Sequence, residues 1–132
     1  MIAADSSSFI AHLSGADGED VEILDQAMAD HLVVLPPVVL VELLSDPKLP
    51  SSVSGLLKLL PLLRTEEGYW ERAGELRAKA LSKRRKARLA DVLIAQSCLD
   101  YDIPLIARDR DFRTFSEFAG LKLLPPYEFA RS

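Results

Sequence analysis

Residues 89–112, LADVLIAQSCLDYDIPLIARDRDF, decide the fold that we predict for this chain. The first half is nearly all apolar, which predicts a helix that is buried on most of its sides. After a short break, the apolar run IPLIA at residues 103–107 has the length of a buried strand and ends in the alternation RDRD. A buried helix that leads into a buried strand is typical of a parallel sheet covered by helices.

The rest of the sequence repeats this alternation of short apolar runs and helical patterns. Further strands are predicted at residues 1–4, 32–36 and 121–125. Helices are predicted at residues 6–13, 21–31, 38–45, 53–64, 66–86 and 111–120, with a further strand around Leu62 and Leu63. No repeat or linker separates two cores, and 132 residues suit one domain. We therefore expect a single α/β domain over residues 1–132.

Composition excludes several classes of protein. The single cysteine, Cys98, cannot form an internal disulfide or a multi-cysteine zinc site, and it suits a reducing cytoplasm. No apolar run approaches the roughly 20 residues of a membrane span. The N-terminal residues lack the basic segment of a signal peptide, so we expect a cytoplasmic protein without membrane association. The net charge of −4 argues weakly against nonspecific nucleic-acid binding.

Four carboxylates stand alone in apolar surroundings. Asp5 is the only charge in residues 1–14, Glu42 in residues 32–45, and Asp91 in residues 89–99, whereas Asp109 closes the predicted strand at residues 103–107. An isolated carboxylate is costly to bury, so each must pair, become protonated or bind a cation.

The predicted topology brings these acids together. In an open parallel sheet, residues that follow the carboxyl ends of the strands converge on one crevice, where ligands bind. Four converging carboxylates repel one another unless a divalent cation neutralises them, and oxygen ligands select Mg²⁺ or Mn²⁺. Such ions support hydrolysis of phosphodiesters by a metal-activated water.

Each acid also has a simpler interpretation that the sequence leaves open. Asp5 could cap the helix that its serines begin, and Asp91 could be a first-turn acid favoured by the helix dipole. Asp109 could form a salt bridge with Arg108 or Arg110. Glu42 has the weakest alternative, because no cation lies near it in sequence.

The same residues resemble a known family. The segment LADVLIAQSCLDYDIPLIARDRDF closely resembles the C-terminal signature of PIN-domain nucleases, especially the VapC-type toxins of toxin–antitoxin pairs. MIAADSSSFI at residues 1–10 is similar to their first strand with its Asp. LPPVVLVELL at residues 35–44 is similar to their second-strand segment, and GLKLLPPYEF at residues 120–129 to their closing strand. Residues 46–88 match only in general character.

This resemblance implies a three-layer α/β/α sandwich with a central parallel sheet. It implies a Mg²⁺- or Mn²⁺-dependent endoribonuclease that is the toxin of a toxin–antitoxin system, with RNA as substrate, a cognate antitoxin as partner, and a homodimer as the expected assembly. Carried over by position, the acidic quartet that binds metal and catalyses cleavage is Asp5, Glu42, Asp91 and Asp109. A catalytically inactive PIN-like module that binds RNA or protein is the alternative.

Four residues are candidates for supporting this site. Ser7 either supports the quartet, by analogy with family hydroxyls after the first Asp, or caps the first helix. Asp111 either caps the helix that follows or adds an outer ligand, and the preference of Asp for N-caps favours capping. Arg108 and Arg110 would hold neighbouring acids or touch phosphate.

Two segments have functions that the sequence leaves open. The basic stretch at residues 79–88 contains Lys83, Arg84 and Arg85, which either steer RNA to the acidic pocket or form an ordinary solvated helix end. The apolar segment at residues 53–63 is either core or a surface for a dimer or antitoxin.

Overall fold

A four-stranded parallel sheet lies at the centre of the computed structural model, which describes residues 1–127. The strands are β1 (Ile2–Ala4), β2 (Val33–Val34), β3 (Leu105–Ile106) and β4 (Leu123–Leu124), in the order β2-β1-β3-β4. Ala3 of β1 is in register with Val34 on one side and Leu105 on the other. Both strands in the middle of the sheet are buried, which explains why they read as apolar runs without alternation.

Seven α-helices and a short 3₁₀ helix (Arg110–Phe112) flank the sheet within residues 1–127. The α-helices are α1 (Ser6–Leu13), α2 (Glu19–Ala29), α3 (Pro37–Leu44), α4 (Ser51–Lys58), α5 (Tyr69–Ser82), α6 (Leu89–Tyr101) and α7 (Arg113–Ala119). The three-layer α/β/α sandwich with a central parallel sheet is thus confirmed. The last predicted strand is present as β4, whereas residues 128–129 of the segment that resembles the family's closing strand lie outside the described residues.

The core lies between the sheet and its helices. Phe9 from α1, Ile94 from α6 and Phe115 from α7 are all fully or almost fully buried. Cys98 is buried in the same core, and burial raises the pKa of its thiol to about 12, so it stays protonated and acts as a small apolar side chain.

Three predicted elements differ from the structure. The helix predicted at residues 53–64 is α4, which begins at Ser51 and ends at Lys58. The helix predicted at residues 66–86 is shorter, because Gly68 before α5 and Arg84 after it both have positive φ. The strand predicted around Leu62 and Leu63 is only one parallel bridge, in which the Leu35 amide donates to the Pro61 carbonyl at 2.8 Å. Pro61 has no N–H to extend this pairing.

The apolar segment at residues 53–63 is divided between core and surface. Leu57 and Leu63 are buried in the core, whereas Leu59 is 81% exposed. Part of its apolar content therefore packs the domain and part faces outward. Among residues 1–127, no helix combines the length and the apolar character needed to cross a bilayer.

Candidate metal centre

Asp5 lies at the carboxyl end of β1 and begins helix α1. Its side chain is the N-cap of α1: Oδ2 accepts a hydrogen bond from the Ser7 hydroxyl at 2.6 Å and one from the Ser7 amide at 3.4 Å. Asp5 is only 4% exposed. The capping role that the sequence allowed is therefore real. It also holds the carboxylate at the edge of the sheet where a ligand of such folds binds.

Asp91 projects from the first turn of α6 and is half-buried. One of its carboxylate oxygens, Oδ2, is buried and has no hydrogen-bond partner within residues 1–127. A buried acceptor without a donor is costly, and such atoms in native proteins point to an ion or water that completes them.

The Asp91 carboxylate is one of three that converge at this edge of the sheet. Asp91, Asp109 and Asp111 each present an oxygen atom so that all three atoms lie within 4.8 Å of one another. Asp109 follows β3, and its Oδ1 accepts from the Asp111 amide at 2.9 Å, which tightens the chain into the 3₁₀ turn and brings both carboxylates to one place. Three oxygen donors at this separation fit a hard divalent cation.

The carboxyl groups perturb one another. Burial, followed by the negative charges of Asp5 and Asp109, raises the pKa of Asp91 to about 6. Burial also raises the pKa of Asp5, and the charge of Asp109 adds to this effect against the lowering influence of the Ser7 hydrogen bonds. The charge of Asp5 thus acts on the cluster, although one of its carboxylate oxygens accepts a hydrogen bond from the Ser7 hydroxyl. Clustered carboxylates that ionise reluctantly are typical of sites that function with a bound cation.

Glu42 lies at the periphery of this arrangement. It is exposed as a residue, and its Oε1 accepts a hydrogen bond from the Ser6 hydroxyl at 3.2 Å. Desolvation of the carboxyl group, and then the charge of Asp5, raises the pKa of Glu42. Glu42 therefore lies within electrostatic reach of Asp5 but outside the group formed by Asp91, Asp109 and Asp111.

The favoured interpretation of Asp111 as a helix cap is wrong. The N-cap of α7 is Phe112, and the capping side chain of this segment is that of Asp109 at the 3₁₀ turn. The Asp111 carboxylate instead joins the cluster and pairs with Lys86, whose Nζ lies 3.2 Å from Oδ2. The sequence feature that indicates a place for Asp111 in the cluster is its spacing of two residues from Asp109 across a tight turn.

Arg108 binds neither Asp109 nor Asp111. Its Nε and Nη2 donate to the two carboxylate oxygens of Asp20 at 3.0 and 3.1 Å. Burial alone would raise the pKa of Asp20, but the hydrogen bonds from Arg108 and Ser8 lower it overall. The pair ties the end of β3 to the start of α2. The sequence did not indicate Asp20 as the partner of Arg108. Residues 17–30 contain several acids, and nothing in the sequence distinguishes Asp20 from the others.

The basic segment is only partly solvated. Arg85 pairs with Glu117 at 2.8 Å and its guanidinium lies 5.4 Å from the centroid of the Phe118 ring, so it fastens the loop after α5 to α7. Lys83 and Arg84 are exposed. Lys86, further along the same segment, is the residue that reaches the carboxylate cluster.

The chain is thus a parallel α/β/α sandwich with a carboxylate cluster at the carboxyl edge of its strands. The family model described as "PIN domain" matches residues 2–118, which is most of the chain. The chain belongs to the PIN domain family. The predicted resemblance to that family is confirmed.

Solved structures of toxin–antitoxin proteins share the fold. A chain of VapBC2 from Rickettsia felis, solved bound to a DNA fragment from their promoter, is 19% identical, with a TM-score of 0.72 over 93% of this chain and 97% of that one. A chain of FitAcB from Neisseria gonorrhoeae is 18% identical, with a TM-score of 0.67 over 93% and 96%. A chain of VapBC-5 from Mycobacterium tuberculosis is 19% identical, with a TM-score of 0.56 over 69% and 79%. No curated protein matches the sequence significantly.

Proposed function

We propose that this protein is a divalent-metal-dependent endoribonuclease and the toxin of a toxin–antitoxin pair, acting as one nuclease domain over residues 1–132. The observation that carries the proposal is the convergence of Asp91, Asp109 and Asp111, together with a buried Asp91 Oδ2 that has no hydrogen-bond partner within residues 1–127. Membership of the PIN family and the shared fold of the VapBC2 and FitAcB structures agree with it.

The metal would be held by Asp91, Asp109 and Asp111, with Asp5 and Glu42 adding negative charge beside them. Mg²⁺ and Mn²⁺ fit, because every donor is an oxygen of a carboxylate. When bound, the ion would supply Lewis-acid chemistry that polarises a phosphodiester and makes a water molecule more acidic.

The protein side chains have separate tasks in this proposal. Ser7 holds Asp5 in one orientation through its 2.6 Å hydrogen bond, so that the carboxylate does not rotate away from the site. Lys86 lies beside Asp111 and brings a positive charge to the edge of the cluster, where the RNA backbone would approach. Lys83, Arg84 and Arg85 would add nonspecific phosphate attraction, with Arg85 restrained by Glu117.

The proposal is tested by RNA cleavage with purified protein in Mg²⁺ or Mn²⁺. We expect Asp91→Asn and Asp5→Ala to abolish cleavage of single-stranded RNA. Asp102→Asn is the matched control, because Asp102 ends the same helix α6 at its other terminus, is exposed, and tolerates Asn at its positive φ. Cleavage that survives in both site variants would overturn the proposal.

Titration of Mn²⁺ by calorimetry separates the enzyme from an inactive binding module. We expect saturable binding to the parent protein and to Asp102→Asn, and none to Asp91→Asn. An inactive module would bind RNA or protein without this Mn²⁺ response. We also propose that the protein forms a homodimer in the cytoplasm. Its antitoxin would be a DNA-binding protein encoded beside it.

A further inference from the structure

A cavity of about 380 Å³ opens beside the carboxylate cluster at the carboxyl ends of β3 and β4. Asp109 forms part of its wall, so the cavity and the proposed metal site share a residue. The other lining residues include Arg108, Arg110, Arg113, Pro125, Pro126 and Tyr127. Its volume is near the lower end of the range for small-molecule sites, which suits a single nucleotide unit.

Two of the three arginines that line the cavity have a charge that no carboxylate in residues 1–127 neutralises. Arg108 is neutralised by Asp20, whereas neither Arg110 nor Arg113 forms a salt bridge with any carboxylate in residues 1–127. Arg110 is exposed. The guanidinium of Arg113 lies 4.3 Å from the centroid of the Tyr127 ring, which orients it without neutralising it.

This arrangement is selective for a phosphate that is attached to an apolar, planar group. A planar guanidinium fork binds phosphate through paired hydrogen bonds, and two of them lining one cavity favour an anion with several oxygens. Pro125, Pro126 and the ring of Tyr127 supply apolar surface against which a base can pack. Three acids also line the cavity: Asp20 is paired with Arg108, Asp109 belongs to the carboxylate cluster, and Glu19 is exposed at the start of α2. When Asp109 faces a bound cation, the two charges of Arg110 and Arg113 outweigh that of Glu19 by one, so the preference for an anion remains.

We infer that this cavity is a subsite for the RNA nucleotide that flanks the scissile phosphodiester. Arg110 and Arg113 bind its phosphate, and the surface of Pro125, Pro126 and Tyr127 contacts its base. The inference rests on the proposed nuclease function and adds to it the residues that position the substrate next to Asp109.

Equilibrium binding of a short single-stranded RNA tests this subsite without interference from cleavage. The measurement uses the full chain carrying Asp91→Asn, in EDTA, at several salt concentrations. In that background, we compare Arg110→Gln/Arg113→Gln with Lys58→Gln/Arg64→Gln. The control removes the same net charge, but Lys58 ends α4, and Arg64 follows the segment that pairs with Leu35 beside β2, at the edge of the sheet opposite β4.

The double site variant should bind RNA about tenfold more weakly than its parent, as expected for the loss of charge-assisted hydrogen bonds. Its plot of log affinity against log salt should be shallower by about 0.7, the value for one phosphate that is no longer neutralised on a single strand. The control should keep both the affinity and the slope of the parent.

The outcomes separate this inference from the function on which it rests. Equal losses in the site variant and in the control would overturn the subsite, since they would reflect net charge alone. Unchanged binding in the site variant would also overturn it while leaving the nuclease intact. Absence of RNA binding and of RNA cleavage by the protein without substitutions would instead refute the proposed function. Circular dichroism of both double variants should match the parent, because none of the substituted residues is buried in the core.

Discussion

Replacing Asp91 with Asn should stabilise the metal-free protein at neutral pH. Asp91 is a half-buried carboxyl group whose pKa is raised from 3.8 to about 6 by burial and by the charges of Asp5 and Asp109. Ionising it in the folded state is therefore unfavourable, whereas Asn has nearly the same shape and carries no charge. The Asn amide would also bring an N–H donor to a cluster that consists of acceptors.

The sign of the pH dependence follows from linkage. Because the pKa of Asp91 is higher in the folded state than in the unfolded chain, the contribution of Asp91 to stability is fully present below about pH 4 and is lost as the pH rises through about 6. The advantage of the Asn variant should therefore be close to zero near pH 4 and reach its full value above pH 7.

The size of the stabilisation expected for Asp91→Asn follows from the same pKa. A rise of the Asp91 pKa from 3.8 to about 6 corresponds to a cost of about 3 kcal/mol for ionising the folded protein, at 1.36 kcal/mol per pKa unit. Since roughly half of the group faces solvent, screening reduces this to about 1–2 kcal/mol. The gain in the free energy of unfolding should thus be about 1–2 kcal/mol at pH 8.

Urea unfolding in EDTA at pH 4, 6 and 8 measures this difference. Mn²⁺ should then reverse the ranking at pH 8, because a ligand held only by the folded state stabilises it by about 2.7 kcal/mol at 100 times its Kd, and the variant lacks the site. Equal stability of the two proteins at every pH, or a variant that is weaker at pH 8 in EDTA, would refute the electrostatic reasoning.

Three further substitutions test the surroundings of the cluster. Lys86→Gln removes the cation 3.2 Å from Asp111 and should tighten Mn²⁺ binding in calorimetry by about two- to fivefold; weaker binding would contradict this. Ser7→Ala removes a hydrogen bond that lowers the pKa of Asp5, so Mn²⁺ binding should be lost at a higher pH than in the parent, whereas Ser7→Thr should keep the parent profile. Arg108→Gln leaves buried Asp20 without its cation and should lower the thermal midpoint by a few degrees without changing Mn²⁺ affinity; a loss of Mn²⁺ binding would place Arg108 in the metal site.

The centre of the fold and part of the site could be predicted from the sequence for one physical reason. Parallel strands buried on both faces read as apolar runs, and their carboxyl ends meet at one edge. Asp5 and Asp109 end two such strands, and these are neighbours in the sheet. Their proximity therefore followed from topology alone.

The remaining features depend on geometry that residue patterns do not record. Asp111 joined the cluster because its amide bonds to the Asp109 side chain and folds the chain into a 3₁₀ turn. Arg108 found its partner in Asp20, 88 positions away in sequence, across a contact between β3 and α2 that depends on how the two elements pack. The approach of Lys86 to Asp111 likewise depends on the loop that follows α5.

The central claim is that these carboxylates share a divalent cation, and anomalous diffraction from crystals containing Mn²⁺ tests it most directly. We predict a manganese peak at coordination distance from Asp91 Oδ2 and from Asp109, with Asp111 released from Lys86 or bridging to the ion. A well-ordered cluster without manganese at saturating Mn²⁺, or manganese bound only elsewhere on the protein, would contradict the account.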